Sequence, residues 1–177
     1  MSNITPKSEH WLPTDEWRRV QRCLPIVCVD VLPIRRLQGE IQDFGLILRE
    51  TPHQGRQWCL IGGRLQYNEL LTEGVERELR EALGDNINYT YFGNGEPLKV
   101  AQYLPTPDKG ELYDPRQHAL GLTFAVELSG SFTQQGEALE FAWFPAAGLA
   151  EMEGIGFGQK PMLIECLRRL LGLERVD

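Results

Sequence analysis

Two carboxylates, Glu78 and Glu81, stand three residues apart, and a glycine pair, Gly62-Gly63, precedes them in the chain. Their spacing puts both glutamates on one side of a helix. The glycines predict a turn where the backbone can approach a ligand closely. Mg²⁺ binds oxygen ligands and usually needs only one or two protein carboxylates beside phosphate and water. The stretch 62–85 therefore indicates a site for a divalent cation and a phosphate chain.

The helix that must position these glutamates is predicted over residues 70–83, with Gly84 as its stop. Its buried stripe consists of apolar residues at every fourth position: Leu71, Val75, Leu79 and Leu83. A Glu-rich helix can also be an ordinary solvated surface. Three pairs at i,i+4 spacing fit that alternative: Glu73–Arg77, Glu76–Arg80 and Arg77–Glu81.

A longer pattern surrounds the two glutamates. Gly63 is followed after five residues by Glu69, and after seven more by the segment R-E-L-x-E-x-x-G at residues 77–84. This order strongly resembles the signature of the Nudix hydrolases, which rarely arises by chance. The resemblance implies an α/β fold, an α/β/α sandwich with a mixed β-sheet between helices. It also implies hydrolysis of a nucleoside diphosphate linked to another moiety, with Mg²⁺ as cofactor and Mn²⁺ as an alternative.

Two positions depart from the family pattern. A second glutamate is expected directly after Glu81, where this chain has Ala82, and an apolar residue is expected after Gly84, where it has Asp85. The missing carboxylate is often a metal ligand in the family. A second hypothesis is therefore a Nudix-fold nucleotide-binding or regulatory module with weak or no hydrolysis. A third is a structural partner that dimerises through its N-terminal segment or its final helix.

Three further segments, LPIVCVD, LRETPHQGRQWCLIGGR and QHALGLTF, resemble those of GDP-mannose mannosyl hydrolase-like Nudix proteins. This resemblance favours a nucleotide-sugar substrate. It implies that Asp30 contacts the sugar-nucleotide and that His118 is the general base. The arginines implied to meet the diphosphate are Arg49, Arg64 and Arg77. That subgroup lacks the glutamates matching Glu78 and Glu81 and keeps the one replaced here by Ala82, so its metal coordination does not transfer.

These assignments predict a mechanism in which Glu78 and Glu81 hold the cation, with the carbonyl of Gly62 as a third oxygen. Either His118 or Glu78 activates water. A histidine base would allow attack at the sugar carbon, whereas a glutamate base would favour attack at phosphorus.

Four of the residues assigned to the substrate or to catalysis also have an ordinary structural interpretation. Arg49 could form a surface ion pair, and Arg77 could simply hold the helix. His118 could be an exposed histidine. Asp30, inside an apolar run, could be a buried hydrogen-bonding residue.

The composition predicts a single domain over residues 1–177, with 1–12 as a loose lead-in. A net charge of −7 and a pI near 5.1 argue against nucleic acid as a partner, since that would need a basic surface. Neither a membrane span nor a signal peptide is recognisable, and the four cysteines are scattered. We therefore expect a cytoplasmic protein, with a homodimer as the default assembly.

The predicted helix 70–83, which carries the Nudix signature (the Nudix box), is called the box helix below. Runs rich in β-branched residues predict strands on both sides of it. A short helix is expected from Thr14, and a final one over residues 161–171. Four leucines of the final helix are expected to point inward: Leu163, Leu167, Leu170 and Leu171. The Pro- and Gly-rich loop 105–117 is long enough to be functional.

Overall fold

The computed structural model describes residues 12–110 and 112–172. Except for Leu12, the predicted lead-in lies outside the described residues. The α-helices are α1 (Thr14–Cys23), α2 (Leu71–Leu83) and α3 (Lys160–Leu170). The strands are β1 (Ile26–Leu37), β2 (Glu40–Thr51), β3 (Gly55–Cys59), β4 (Ile61–Arg64), β5 (Ile87–Tyr91), β6 (Lys99–Leu104), β7 (Leu112–Tyr113), β8 (Ala119–Gly130) and β9 (Glu140–Pro145). Two short 3-10 helices, Ala146–Glu151 and Gly156–Gly158, precede α3.

The strands form one mixed sheet with the order β3-β2-β1-β8-β6-β7. At its centre β1 and β8 run parallel, from Ile26 opposite Ala119 to Ile34 opposite Glu127. Three strands pair off this path: β4 with β1, β5 with β8, and β9 with β2. The mixed sheet predicted by the resemblance is confirmed.

The long strand β1 changes its antiparallel partner halfway along its length. Residues 28–31 pair with β4, whereas residues 34–37 pair with β2. The sheet therefore divides at this point, because one strand edge cannot bond two neighbours at once. The cavity described below is lined by residues of β1, β2 and β4 at this division.

Helices cover both faces of the sheet. On one face the α2 residues Val75, Leu79 and Leu83 are fully buried in a cluster that includes Val29 and Phe124. On the other face α3 contributes Met162, Leu163, Cys166 and Leu167 to a second cluster with Leu32, Ile34 and Phe44. Because alternate residues of a strand point to opposite faces, β1 contributes to both clusters. The predicted α/β/α sandwich is thus observed.

Three local predictions need correction. Leu171 is 38% exposed, because α3 ends at Leu170 and the chain leaves the core there. The predicted strand around residues 58–61 is interrupted at Leu60 and contributes to both β3 and β4. The loop 105–117 contains the short strand β7, which adds to the edge of β6.

None of the helices in the described part of the chain is long and apolar enough to span a membrane.

Candidate active site

A cavity of about 400 Å³ lies between the sheet and the box helix α2. It brings together seven of the residues singled out in the sequence: Asp30, Arg49, Gly62, Arg64, Arg77, Glu78 and Glu81. These residues come from β1, β2, β4 and α2. The cavity therefore places carboxylates and guanidinium groups around one space large enough for a small molecule.

The glycine pair lies inside strand β4, and the prediction of a turn there is wrong. Both glycines are required because side chains fill the space where a Cβ would stand. At Gly63 a Cβ would overlap Glu78 Oε1 and lie 2.8 Å from its carboxyl carbon. At Gly62 it would lie 2.6 Å from Asp30 Oδ1. The strand thus forms a cradle for the carboxylates of Asp30 and Glu78.

Arg77 is fully occupied by protein partners. Its Nε donates to Glu69 Oε1 at 2.6 Å and its Nη2 donates to Glu69 Oε2 at 3.0 Å. Its Nη1 donates to Glu78 Oε1 at 2.6 Å, and its Nη2 also donates to the carbonyl of Arg64 at 3.0 Å. These contacts tie the loop before α2 to the helix. Through these contacts Arg77 holds the Glu78 side chain in position.

Glu78 is the more buried of the two box carboxylates, with 12% of its side chain exposed. Burial raises the pKa of Glu78 to about 7, against the opposing attraction of Arg77. The charges of Glu81 and Glu137 raise it further. Without a cation this carboxylate is therefore partly protonated near neutral pH, and a cation bound to its oxygens would lower its pKa again.

Glu81 and Ala82 occupy the last turn of α2 beside the cavity. The Glu81 side chain is 62% exposed and lies 3.6 Å from Arg77 Nη1. Ala82 is nearly buried and has no polar group to offer. Asp85 does not replace the missing carboxylate, because its side chain is 88% exposed and faces Arg80.

Asp30 forms the floor of the cavity together with two residues from distant elements. It is 8% exposed, and its Oδ2 accepts a 3.0 Å hydrogen bond from the Tyr103 hydroxyl. That hydroxyl accepts a 2.9 Å bond from Gln159 Nε2. Gln159 Oε1 in turn accepts the backbone N–H of Leu60. Burial raises the pKa of Asp30 to about 6.

Replacing Asp30 with asparagine is expected to stabilise the protein at neutral pH by about 3 kcal/mol, since its pKa rises from 3.8 to about 6 and one pKa unit is about 1.4 kcal/mol. The raised folded-state pKa means that the folded chain binds more protons than the unfolded chain between about pH 4 and pH 6. The contribution of Asp30 to stability is therefore present below about pH 4 and is lost as pH rises through 6. Asparagine keeps the acceptor for Tyr103 without the buried charge.

Urea unfolding at pH 4.5 and pH 7 measures this effect, with the exposed Asp85→Asn as the matched control. The gain of Asp30→Asn over wild type should be larger at pH 7 than at pH 4.5, and Asp85→Asn should show no such pattern. A loss of stability at pH 7 would contradict the assignment of Asp30 as a costly buried carboxylate.

Two arginines face the cavity from opposite strands. Arg49 pairs with Glu137, and its side chain is only 13% exposed. Its Nε is buried and donates to no partner within the described residues. The guanidinium of Arg64 lies over the ring of Trp17 at 4.2 Å, so α1 holds it in place. Burial, and then the charge of Arg77, lowers the pKa of Arg64.

His118 is not brought to the cavity. It lies directly before β8, and its ring nitrogen Nε2 is 3.5 Å from the side-chain nitrogen of Gln102. Its neighbours Gln117 and Ala119 line the cavity instead. The structure therefore leaves Glu78, rather than His118, facing the space where a substrate would bind.

Several cavity residues carry no recognisable signal in the sequence. Glu137 follows a polar stretch without periodicity, and Gln159 precedes the final helix as an isolated polar residue. Asp114 and Arg116 form a bidentate pair at 2.9 and 2.8 Å within the loop that was predicted to be functional from its length. The length of the loop 105–117 was the one sequence feature that indicated Asp114 and Arg116.

Within the described residues, no group of three or more His, Cys, Asp or Glu side chains is already arranged to hold a metal ion. The donors that face the cavity are nevertheless hard carboxylate oxygens, which suit Mg²⁺. The cradle at Gly63 also fixes Glu78 against the cavity wall. The chemistry of these side chains therefore fits a divalent cation.

Comparison with protein families gives one match over most of the chain. The model of the family described as "Domain of unknown function (DUF4916)" matches residues 7–161. Among curated proteins, the low-salt glycan biosynthesis protein Agl8 of Haloferax volcanii is 32% identical over 85 residues. That match covers 48% of this chain and 51% of Agl8, so the chain spans about half the length of this curated relative.

Solved structures show the same fold. A possible asymmetric diadenosine tetraphosphate hydrolase from Jonesia denitrificans superposes with a TM-score of 0.74 and 30% identity, covering 87% of this chain and 99% of that one. The Nudix domain of Shewanella oneidensis NrtR, solved with ADP-ribose, superposes with a TM-score of 0.58 and 15% identity, covering 90% and 99%. At that identity the second likeness concerns the fold alone.

Proposed function

The chain belongs to the DUF4916 family and has the Nudix hydrolase fold, and on that premise we propose that it hydrolyses a nucleoside diphosphate linked to another moiety. The cavity is the observation that carries this proposal. Glu78 and Glu81 stand on one of its sides, and the guanidinium groups of Arg49 and Arg64 lie in the same space. Carboxylates for a cation and arginines for phosphate oxygens are the two requirements of such a substrate.

The residues that would hold the cation are Glu78 and Glu81, with the carbonyl of Gly62 as a third oxygen. A bound Mg²⁺, or Mn²⁺ in its place, would neutralise charge on the diphosphate and lower the pKa of water. Arg64, held against Trp17, orients the diphosphate through charge-assisted hydrogen bonds. Arg77 keeps Glu78 in position and does not contact the substrate.

The proton of the attacking water is taken by Glu78. Its side chain faces the cavity, and a carboxylate is one of the groups that act as a general base. His118 lies beside Gln102, away from the cavity lining, which favours Glu78 over His118 as the base. With Glu78 as the base, attack at phosphorus is favoured over attack at a sugar carbon.

A nucleotide-sugar is the preferred substrate in this proposal. Sugar hydroxyls need buried acceptors, and the floor of the cavity offers two carboxylates, Asp30 and Asp114. Tyr103 donates to Asp30 Oδ2, and a ligand hydroxyl would be met by the other carboxylate oxygen, Oδ1. The name of the relative Agl8, a glycan biosynthesis protein, supports the same class.

The second candidate is a nucleotide-binding or regulatory module with weak hydrolysis, and Ala82 is the observation that favours it. With alanine at this position, Glu78 and Glu81 are the carboxylates that the described part of α2 brings to the cavity. A homodimer and a cytoplasmic location stay predictions from the sequence.

Mg²⁺-dependent hydrolysis across nucleotide-sugars, dinucleoside polyphosphates and nucleoside triphosphates tests the proposal. We expect turnover of nucleotide-sugars above the other two classes, lost on adding EDTA. Faster turnover of dinucleoside polyphosphates would overturn the preferred substrate but keep the hydrolase. The absence of turnover, combined with thermal stabilisation by one nucleotide, would favour the binding module.

A further inference from the structure

The helix α1 forms one wall of the cavity. Three of its residues, Trp17, Val20 and Gln21, are half-buried, and the others are exposed. Trp17 and Val20 pack against the core, whereas Gln21 is a polar residue on the same inward side. Trp17 and Gln21 both line the cavity, and their spacing of four residues puts them on one face of the helix. α1 thus brings a carboxamide group to the space where a ligand would bind.

Gln21 meets a second glutamine from a distant part of the chain. Its Nε2 donates to Gln117 Oε1 at 2.8 Å, across a separation of 96 residues. Gln117 is 9% exposed and also lines the cavity. One hydrogen bond between two carboxamides uses one oxygen and one NH₂ group, whichever way the two groups are turned. This amide pair, Gln21 and Gln117, therefore carries a second oxygen and a second NH₂ group with which a ligand can bond.

The segment before β8 holds Gln117 in a fixed position. The Gln117 N–H donates to the Asp114 carbonyl at 3.4 Å, and the His118 carbonyl accepts the N–H of Ile26 at 2.9 Å. The Asp114 carboxylate is bound to Arg116 through Nε at 2.9 Å and Nη2 at 2.8 Å. Because these contacts exist without a ligand, little conformational freedom is lost when a ligand binds the amide pair.

The neutrality of the amide pair decides which part of a substrate it fits. Phosphate groups are bound best by cations, and Mg²⁺ by carboxylates. An acceptor and a donor held side by side match instead the edge of a nucleobase, which presents the same two kinds of group in one plane. The guanidinium of Arg116 lies over the Phe157 ring at 5.7 Å in the same cavity. A base can stack on such a planar group.

We propose that the amide pair of Gln21 and Gln117 recognises the base of the nucleoside diphosphate through hydrogen bonds to its edge. This inference rests on the proposed function. Arg64, which binds the diphosphate, is stacked on Trp17, and Gln21 follows about 6 Å further along the helix. The base and the diphosphate therefore lie side by side along α1. A base with the wrong edge leaves a half-buried donor or acceptor unpaired, so α1 selects the nucleotide.

Calorimetry in EDTA, without turnover, tests the contact with the base. The ligands are ADP, GDP, UDP, CDP and inorganic pyrophosphate. Gln21→Ala should bind the nucleoside diphosphate that wild type prefers about tenfold more weakly, the scale of one or two lost hydrogen bonds. Its affinity for pyrophosphate should be unchanged. Alanine favours the helix, so α1 is retained.

Gln102→Ala is the matched control, because Gln102 is an exposed glutamine that does not line the cavity. It should match wild type with every ligand. Equal affinities of Gln21→Ala and Gln102→Ala for the nucleoside diphosphates would overturn the inference. A loss of pyrophosphate affinity as large as the loss for the nucleoside diphosphate would also overturn it, since Gln21 would then support the phosphate site.

A change of preference between bases is expected from Gln21→Glu. A carboxylate only accepts hydrogen bonds, so the Gln117 NH₂ group turns toward it and the pair presents two oxygens to the ligand. Guanine offers two neighbouring N–H groups on one edge, whereas adenine offers one beside an acceptor nitrogen. The ratio of GDP affinity to ADP affinity should therefore rise about tenfold over wild type. An unchanged ratio would overturn the inference.

A complete nucleotide-sugar separates the base from the sugar as the bound group. If Gln21→Ala weakened binding of the nucleotide-sugar but not of its nucleoside diphosphate, the amide pair would contact the sugar, and the inference would be overturned. A hydrolase whose Gln21 variants keep the wild-type order of bases would contradict this inference alone. Failure of wild type to bind every nucleoside diphosphate would contradict the proposed function as well.

Discussion

Replacing Glu78 with glutamine is expected to lower kcat/KM of the metal-dependent hydrolysis by about 10³-fold or more, the usual scale for losing a charge-stabilising group and a general base together. Glutamine keeps the shape that fits the cradle at Gly63. It removes both the negative charge for the cation and the proton acceptor. Steady-state kinetics with Mg²⁺ on the best nucleotide-sugar measures the effect.

Glu76→Gln is the matched control for this experiment. Glu76 stands two residues earlier on α2 and pairs with Arg80 at 2.9 Å, and its side chain is 46% exposed. It does not line the cavity, so its loss should leave kcat/KM within about twofold of wild type. If Glu78→Gln kept a third of wild-type activity, the site would have to be sought elsewhere.

Replacing Arg77 with alanine is expected to destabilise the fold by about 2–4 kcal/mol, somewhat below the range for breaking a buried ion pair. The Glu69 and Glu78 side chains are 11% and 12% exposed and would lose their shared cation. The Arg64 carbonyl would lose a donor. For a domain of this size the melting temperature should fall by about 5–15 °C. Thermal unfolding followed by circular dichroism measures this.

Arg80→Ala is the comparison, because Arg80 lies on the same helix but pairs with the half-exposed Glu76. Its removal should cost less than about 1 kcal/mol. Arg77→Lys should not restore stability, since one ammonium group cannot reach Glu69, Glu78 and the Arg64 carbonyl together. Equal melting temperatures for Arg77→Ala and Arg80→Ala would contradict the positioning role.

The box helix could be predicted nearly residue by residue. Residues 70–83 were expected and Leu71–Leu83 is observed, with Val75, Leu79 and Leu83 buried. The signals are local, since the i,i+4 stripe and the glycine at residue 84 act within one or two turns. The Nudix resemblance extended the prediction from this helix to the whole fold, because the family pattern includes both the helix and the glycine-bearing strand that packs against it.

The partners of Arg77 could not be predicted from spacing. The i,i+4 rule pointed to Glu73 and Glu81, yet the strongest partners are Glu69 and Glu78. Glu69 becomes available only because the loop before α2 folds back along the helix. Glu73 instead accepts the N–H of Leu70 and closes the first turn.

The position of His118 shows that a difference of one residue along the chain decides which side chain reaches the cavity. Ala119 faces the cavity as the first residue of β8, and alternate residues of a strand point to opposite sides. His118 therefore lies with Gln102 instead. A resemblance between segments identifies neighbouring residues, but the pleat determines which of them reaches a ligand.

The sequence by itself determined the fold family, the box helix and the pair Glu78 and Glu81, because these follow from patterns within one stretch of chain. Only the tertiary structure decided which charges meet. It placed Glu137 on Arg49, Tyr103 on Asp30, and Trp17 over Arg64. Those contacts join residues far apart in sequence, and the division of the sheet at β1, which no local pattern encodes, brings them to one cavity.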